Sequence, residues 1–290
     1  MATTASDLIV PEVWGDAIME DVLGKSVMLP LAVQDDQLVG TPGDSVDMPF
    51  WAYIGDADDL TEAAAIVPTS MSMTSDRATI KEIGKGVELS DKALLVALGN
   101  PNDQARVQLA LSISRKVDVD LMAAAIATYT NTGVTDPYKT TAPLAFDGSL
   151  AILSWAAFVD GTTAMGDDYD PNEMGAFIIH SKQRGDIMKD ATFTDVSKYG
   201  SDAVTLRGEI GRIGNVPVLV SDRVNVIDNA GTPNYQSLII AKGALALKYK
   251  RRAVVETDRD ILARTNVITT NAHYAAKRSN DRGVVLLTTQ

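Results

Sequence analysis

Cysteine is absent from the 290 residues, which excludes disulfides, thiolate metal sites and cysteine nucleophiles. No apolar run approaches the roughly 18 residues that cross a bilayer, and the opening MATTASDLIVPE has neither a basic leader nor a long apolar core. Neither a membrane span nor an export signal is expected, and a reducing cytoplasm suits the composition. Basic charge is scarce at one end: from Met1 to Asp76, Lys25 stands alone against fourteen acidic residues, and the whole chain carries a net charge of -12. That balance argues against tight nucleic-acid binding, which needs clustered Lys and Arg to displace counterions. The asymmetry reverses at the other end, where Ile240 to Gln290 holds ten basic residues against four acidic. Either both ends are solvated, or the acidic end of one copy meets the basic end of another.

Catalytic constellations are also missing. No Walker loop, G-x-G-x-x-G or G-x-S-x-G occurs, and glycines 208, 211 and 214 read as turns. His180 follows the apolar run FII and His273 lies in an expected strand, the usual settings of core or interface histidines. Asp168 to Glu173 superficially resembles a calcium loop, but Pro171 falls among the ligand positions and Glu173 stands where glycine is required. Asp118 and Asp120, two apart on an expected helix, point about 200° away from each other and do not form an acid/base pair. No catalytic, cofactor or metal residues are therefore assigned.

What is present is a soluble globular composition: 46% hydrophobic, 22% charged, with a mean hydropathy of +0.02. Residues 7 to 28 hold a helical stretch that includes Trp14, read as an N-terminal arm. Ser45 to Ile54 alternates as a strand, with Val46, Met48, Phe50 and Ile54 on one side and Asp47, Trp51 and Tyr53 on the other. A second extended stretch, Thr69 to Ile83, pairs with it, and the acidic Gly55 to Pro68 connects them. That tip is about three times longer than ordinary hairpin loops, and a two-stranded hairpin is marginal alone, so something else has to cover its apolar face. Asn100-Pro101 opens a long helix running to Thr130 and stopped by Asn131-Thr132-Gly133. A helix at Ser149 to Val159 follows, then strands at Ala176–Ile179, Val216–Val220, Ser237–Ala241, Ala244–Tyr249, Ala253–Glu256, Val267–Ala275 and Val284–Leu287. The fold class is α+β.

This order of elements resembles the major capsid proteins of tailed phages with the Hong Kong 97 fold. GEIGRIGNVPVLVSDRV at Gly208 to Val224 and RRAVVETDRDILARTNVITTNAHYAAKRSN at Arg251 to Asn280 look most like family segments. The resemblance implies an N-terminal arm (1–43), an extended loop (44–85), a peripheral domain with a spine helix (86–145), an axial domain (146–249) and return strands (250–290). It implies a non-enzymatic coat protein that assembles into hexamers and pentamers of an icosahedral shell enclosing double-stranded DNA without sequence-specific binding. The loop would lie across the adjacent subunit. Trp14, Phe50, Trp51, Tyr53, Met71 and Met73 are expected as apolar contacts between subunits. The acidic tip, with Asp56, Asp58, Asp59 and Glu62, is expected to meet Arg251, Arg252, Arg259 or Arg278. A separate scaffolding protein is expected because little chain precedes the arm; a portal and decoration proteins are further implied partners. Some relatives join subunits through an isopeptide bond from a loop lysine, but no lysine lies between Asp44 and Ile80 here, so noncovalent contacts are expected. An encapsulin-like compartment would share the fold and differ in carrying an enzyme cargo. A soluble enzyme binding metal at Asp167 to Glu173 is the reading from another class.

Overall fold

The computed structural model describes residues 26–36, 38–51, 54–57, 59, 65–66, 68–96, 101–129, 142–148, 151–190, 211–229 and 231–290. Most of the expected arm helix, Trp14, Tyr53, Asp58, Glu62 and the stop at Asn131 to Gly133 lie outside them. The described residues fall into two units, one within Met1–Asp44, Thr79–Ala124 and Leu245–Lys277, the other within Ser45–Ala78, Ala125–Ala244 and Arg278–Gln290.

The first unit is built on a four-stranded sheet with the order β1-β11-β12-β4. Its strands are β1 (Ala32–Asp35), β4 (Lys81–Ser90), β11 (Leu245–Asp260) and β12 (Thr265–Arg278). β11 is one strand of sixteen residues where the apolar pattern reads as two. The polar Arg251-Arg252 interrupts the hydrophobicity, but both backbones continue to pair, because ladder hydrogen bonds do not depend on side-chain polarity. Helix α1 (Asp91–Val96) precedes the long helix α2 (Pro101–Ile126). Leu109, Ile113, Val117 and Leu121 recur every four residues and are buried, as is the neighbouring row Ala110, Ser114 and Asp118.

Two buried carboxylates fix α2 within this unit. Asp118 accepts from the Ser26 hydroxyl and from the backbone N–H groups of Val27 (3.2 Å) and Met28 (3.1 Å). Asp120 accepts from the Tyr274 hydroxyl at 2.6 Å and pairs with Lys81 at 2.7 Å and Lys116 at 3.2 Å. Burial opposes the Asp120 charge, but the bonds from Lys81 and Tyr274 and the Lys81 charge outweigh it and hold the carboxyl below its ordinary 3.8. The two aspartates thus face different partners, as their spacing on a helix requires.

The second unit carries a seven-stranded sheet ordered β5-β13-β10-β6-β8-β7, with β9 also on β10. These strands are β5 (Leu144–Asp147), β6 (Met174–Ile179), β7 (Arg212–Ile213), β8 (Val216–Val220), β9 (Val226–Asn229), β10 (Thr232–Ala241) and β13 (Val284–Thr289). β6, β13 and the Leu238–Ile240 stretch of β10 are buried almost throughout, which explains their continuous apolar runs. Gly214 and Asn215 both adopt left-handed backbone (φ 55° and 69°), as a two-residue turn between β7 and β8 needs. Helix α3 (Trp155–Thr163) starts later than expected because Ser154 supplies the cap, accepting from Ala157 N–H. It lies so close to β13 that a Cβ on Gly161 would stand 2.8 Å from Leu287 Cδ1.

Helix α4 (Ser181–Lys189) carries no sequence signal strong enough to expect it, being polar with a central Gly185. His180 caps it: its Nδ1 accepts from Lys182 N–H at 3.2 Å, while the Gln183 side chain reaches back to His180 N–H at 3.0 Å. Finally, β2 (Ser45–Trp51) and β3 (Met73–Thr79) form a two-stranded sheet of their own. The expected second strand, Thr69 to Ile83, is therefore split. The chain leaves β3 at Ile80, whose N–H donates to Asp44 O at 2.8 Å, and enters β4, which pairs with β12.

Candidate interaction surfaces

Among the described side chains, the β2–β3 hairpin buries Val46 and Ala78. Arg77 binds Asp47 across it at 2.9 Å. Trp51 stays 63% exposed, and Met71, Met73, Ile54 and Ile66 are exposed with it. Five large apolar side chains on two strands and their connection exceed what scattered surface residues explain. Phe50 lies in β2 one residue before Trp51. Asp56 and Asp59, in the connection, are exposed.

The four arginines expected to receive that acidic connection have different fates. Arg278 is a correction: its side chain is fully buried, binding Asp281 at 2.6 Å and the carbonyls of Ala125 and Ala127 at 2.8 and 2.9 Å, with Tyr129 under the guanidinium. A guanidinium committed to two carbonyls at the end of α2 and to a buried carboxylate is not available at the surface. Arg252 grips Asp36 with two nitrogens (2.5 and 3.1 Å) and lies over Tyr249, whose hydroxyl is pushed up to about 12 by burial. Arg259 binds Asp91 at 2.9 Å. Arg251 pairs with Glu256, five residues along its own strand, at 3.0 Å.

Beside Arg251 the structure opens a cleft of about 530 Å³ lined by Gly40, Thr41, Pro42, Lys250, Arg251 and His273. Lys250 and His273 were not among the expected contact residues. The signal that could have found them is alternation in β12, which puts His273 on the face opposite the buried Tyr274.

A second apolar surface also escaped the sequence. Leu262, 96% exposed, and Ile261 stand at the β11–β12 turn, and Leu95 and Val96 are exposed on α1. The turn is built, not loose: Asp260 Oδ1 accepts from Leu262 N–H (2.8 Å) and Ala263 N–H (2.9 Å). Asp91 N–H donates to Arg264 O at 3.0 Å, tying α1 to the same end of the sheet.

Two carboxylates of the acidic stretch at Asp167 to Glu173 are engaged by their own chain. Asp168 binds Arg282 at 2.9 Å, and Asp170 Oδ1 accepts from Asn172 N–H at 2.8 Å in a local turn. Among the described residues no three His, Asp or Glu side chains are grouped to hold a metal ion.

Comparison with known proteins gives these exposed apolar surfaces a context. Residues 74–287 match the family model described as phage capsid protein. The chain is 27% identical over 292 residues to the major capsid protein of Staphylococcus phage phiMR11, covering 99% of this chain and 95% of that one. Among solved structures, the capsid of cyanophage P-SCSP1u aligns with a TM-score of 0.71 at 13% identity, covering 91% of this chain and 88% of that one. The capsid of a native GTA particle gives 0.68 at 16% identity, over 90% and 89%. The compartment and enzyme readings are not favoured by these matches. With its mixed α+β architecture aligning with tailed-phage shells and nearly three quarters of its length matching the family model, this chain belongs to the phage capsid protein family, as a major capsid protein with the Hong Kong 97 fold.

Proposed function

We propose that each copy lays its β2–β3 hairpin on an adjacent copy, closing hexamers and pentamers that build an icosahedral shell around double-stranded DNA. The observation that carries this is the hairpin itself, two strands with five exposed apolar side chains and, among the described residues, no third strand. A two-stranded sheet is marginal in water, so a neighbour's surface is the natural cover. Phe50, Trp51, Tyr53, Met71 and Met73 are the apolar anchors, with Trp14 of the arm as a further contact. Each anchor contributes roughly 1.5–3 kcal/mol when fully buried. A loop seated on a different surface of the next copy is a head-to-tail contact, the kind that closes rings. Leu95, Val96, Ile261 and Leu262 form a second contact surface, which suits joining one ring to the next.

A separate scaffolding protein, a portal and decoration proteins are the partners this role calls for, with assembly in the host bacterial cytoplasm before the shell becomes part of the virion. The enclosed DNA needs no sequence readout, in keeping with the net charge of -12. Sedimentation and electron microscopy of the purified chain, alone and with its scaffolding partner, test the assembly reading. Rings or closed shells are expected; a stable monomer or dimer under every condition overturns it.

A further inference from the structure

We propose that Met71 and Met73 are a paired oxidation site, at which a peroxide converts the thioethers of the unassembled chain to sulfoxides and so hinders assembly until they are reduced. The proposal rests on the assembly reading, which makes both side chains anchors, and adds to it a chemical control that the reading does not contain.

Sulfur chemistry in this chain belongs to methionine alone. With no cysteine, the thiolate that a peroxide reaches most readily is absent, and ten methionines hold all the sulfur. Burial divides them sharply. Met28, Met122, Met165 and Met174 are at most 3% exposed, and Met48 and Met188 are partly buried, whereas Met71 is 64% exposed and Met73 56%. A peroxide needs access to the sulfur lone pair, so among the described residues these two react first.

Their place in the hairpin turns a surface change into an assembly defect. Met73 opens β3, and Met71 lies two residues before it. The Ile80 N–H bond to Asp44 O, the Arg77–Asp47 pair and the burial of both Val46 and Ala78 fit one antiparallel register of β2 and β3, and that register sets Met73 opposite Trp51. Oxidation therefore falls on the apolar patch that holds the exposed ring of the hairpin. Neither methionine belongs to the core of its own chain, so the fold tolerates the added oxygen. A neighbour that has to cover it does not: the sulfoxide oxygen is an acceptor that must be stripped of water, and burying it without a donor is unfavourable.

With hydrogen peroxide the step balances. A sulfur lone pair attacks one peroxide oxygen, and the S–O bond forms as the O–O bond breaks. The proton of the attacked oxygen passes to the leaving hydroxide, which departs as water; sulfur loses two electrons and the peroxide gains them. Methionine sulfoxide reductases, drawing on thiols, reverse the change, one enzyme for each sulfoxide epimer. Once a shell has closed, the contact that needs the thioethers also shields them, which confines the control to chains not yet assembled.

Dilute hydrogen peroxide on the full-length chain tests this. Peptide mass spectrometry of the unassembled chain should find an added oxygen on Met71 and Met73 before any on Met28, Met122, Met165 or Met174, with melting of the chain unchanged. The oxidised chain should need roughly tenfold more protein for half-assembly, read by sedimentation, and both reductases with a thiol should restore the original value. In intact shells the two methionines should resist the same dose. Met71→Leu/Met73→Leu keeps apolar volume and has no sulfur at either place; measured against its own untreated value, its half-assembly concentration should move by less than about twofold on treatment. If peroxide impairs that variant as much as the parent, another residue carries the damage and the proposal is overturned. A doubly oxidised parent that assembles like the untreated one also overturns it, and leaves the assembly reading standing. If the untreated parent forms no rings or shells under any condition, the assembly reading falls and the proposal falls with it.

Discussion

The imidazole of His180 caps α4 through an unprotonated Nδ1, packs on Tyr235 at 4.5 Å between ring centres, and turns Nε2 toward Asp222 at 3.9 Å. Burial lowers its pKa from the ordinary 6.5 against the pull of the Asp222 charge. A neutral ring is what the cap needs, since a protonated Nδ1 cannot accept from Lys182 N–H. Because the folded-state pKa is depressed, the unfolded chain takes up the proton more readily. The stability this ring confers is complete above 6.5 and is lost as pH falls below it toward the folded-state value. His180→Asn keeps an acceptor at the cap and removes the titration. Its melting temperature should therefore fall less than the parent's between about pH 7 and 5; equal slopes by calorimetry would show the ring does not control the cap. Asp118 is a second residue whose role is local. Three donors converge on it, and removing a buried acceptor strands them at about 1–3 kcal/mol each. Asp118→Ala should lower stability by about 3 kcal/mol or more in chemical denaturation, whereas a change under about 1 kcal/mol would mean that water replaces the carboxylate.

At the scale of elements, the β2–β3 hairpin makes the clearest prediction, because packing and charge can be separated on it. Trp51→Ala removes a large exposed ring that the proposed assembly covers with a neighbour, and Asp58→Asn removes one charge from the connection. The first should weaken assembly more than the second, by about tenfold or greater in the concentration for half-assembly, with the unassembled chain melting as before. If Asp58→Asn is the more damaging, charge and not packing holds the contact. The same elements show what a sequence displays and what it hides. β2 was legible from alternation, and α2 from its length without glycine or proline. β8 was legible between its turn signals, and its bounds agree to the residue. The splitting of Thr69 to Ile83 between two sheets was not, because strand pattern records which face is apolar and carries no record of which strand is the partner. α4 was hidden because its stability comes from tertiary bonds: buried Gln183 donates to Thr289 at 2.8 Å and accepts from Ser237 at 2.7 Å. The arginines were legible as basic and exposed-looking, but only the structure separates Arg278, inside the protein, from Arg251 beside a cleft.

For the whole molecule, the question is what holds a shell of such chains once it has formed. Every link has to come from side chains that reach a neighbour, and the element offered for that purpose, the hairpin and its connection, has no lysine from Asp44 to Ile80. A Lys–Asn isopeptide bond through this loop is therefore chemically out of reach. The chain also has no cysteine with which to form a disulfide in its place. In the proposed assembly, cohesion comes from apolar burial at Trp51, Met71 and Met73, supplemented by the charged loop. Interfaces that hold permanently on such terms commonly bury on the order of 2,000 to 5,000 Å². Cohesion of this kind is reversible: detergent and heat that displace apolar contacts should release every copy. Mature particles boiled in detergent should run as a single species of 30.9 kDa with no ladder of multiples. Guanidinium should dissociate them at a concentration that Trp51→Ala lowers. Intermolecular Lys–Asn peptides recovered by mass spectrometry from intact particles would show instead that another lysine reaches a neighbour, and that the hairpin is not the element joining the copies.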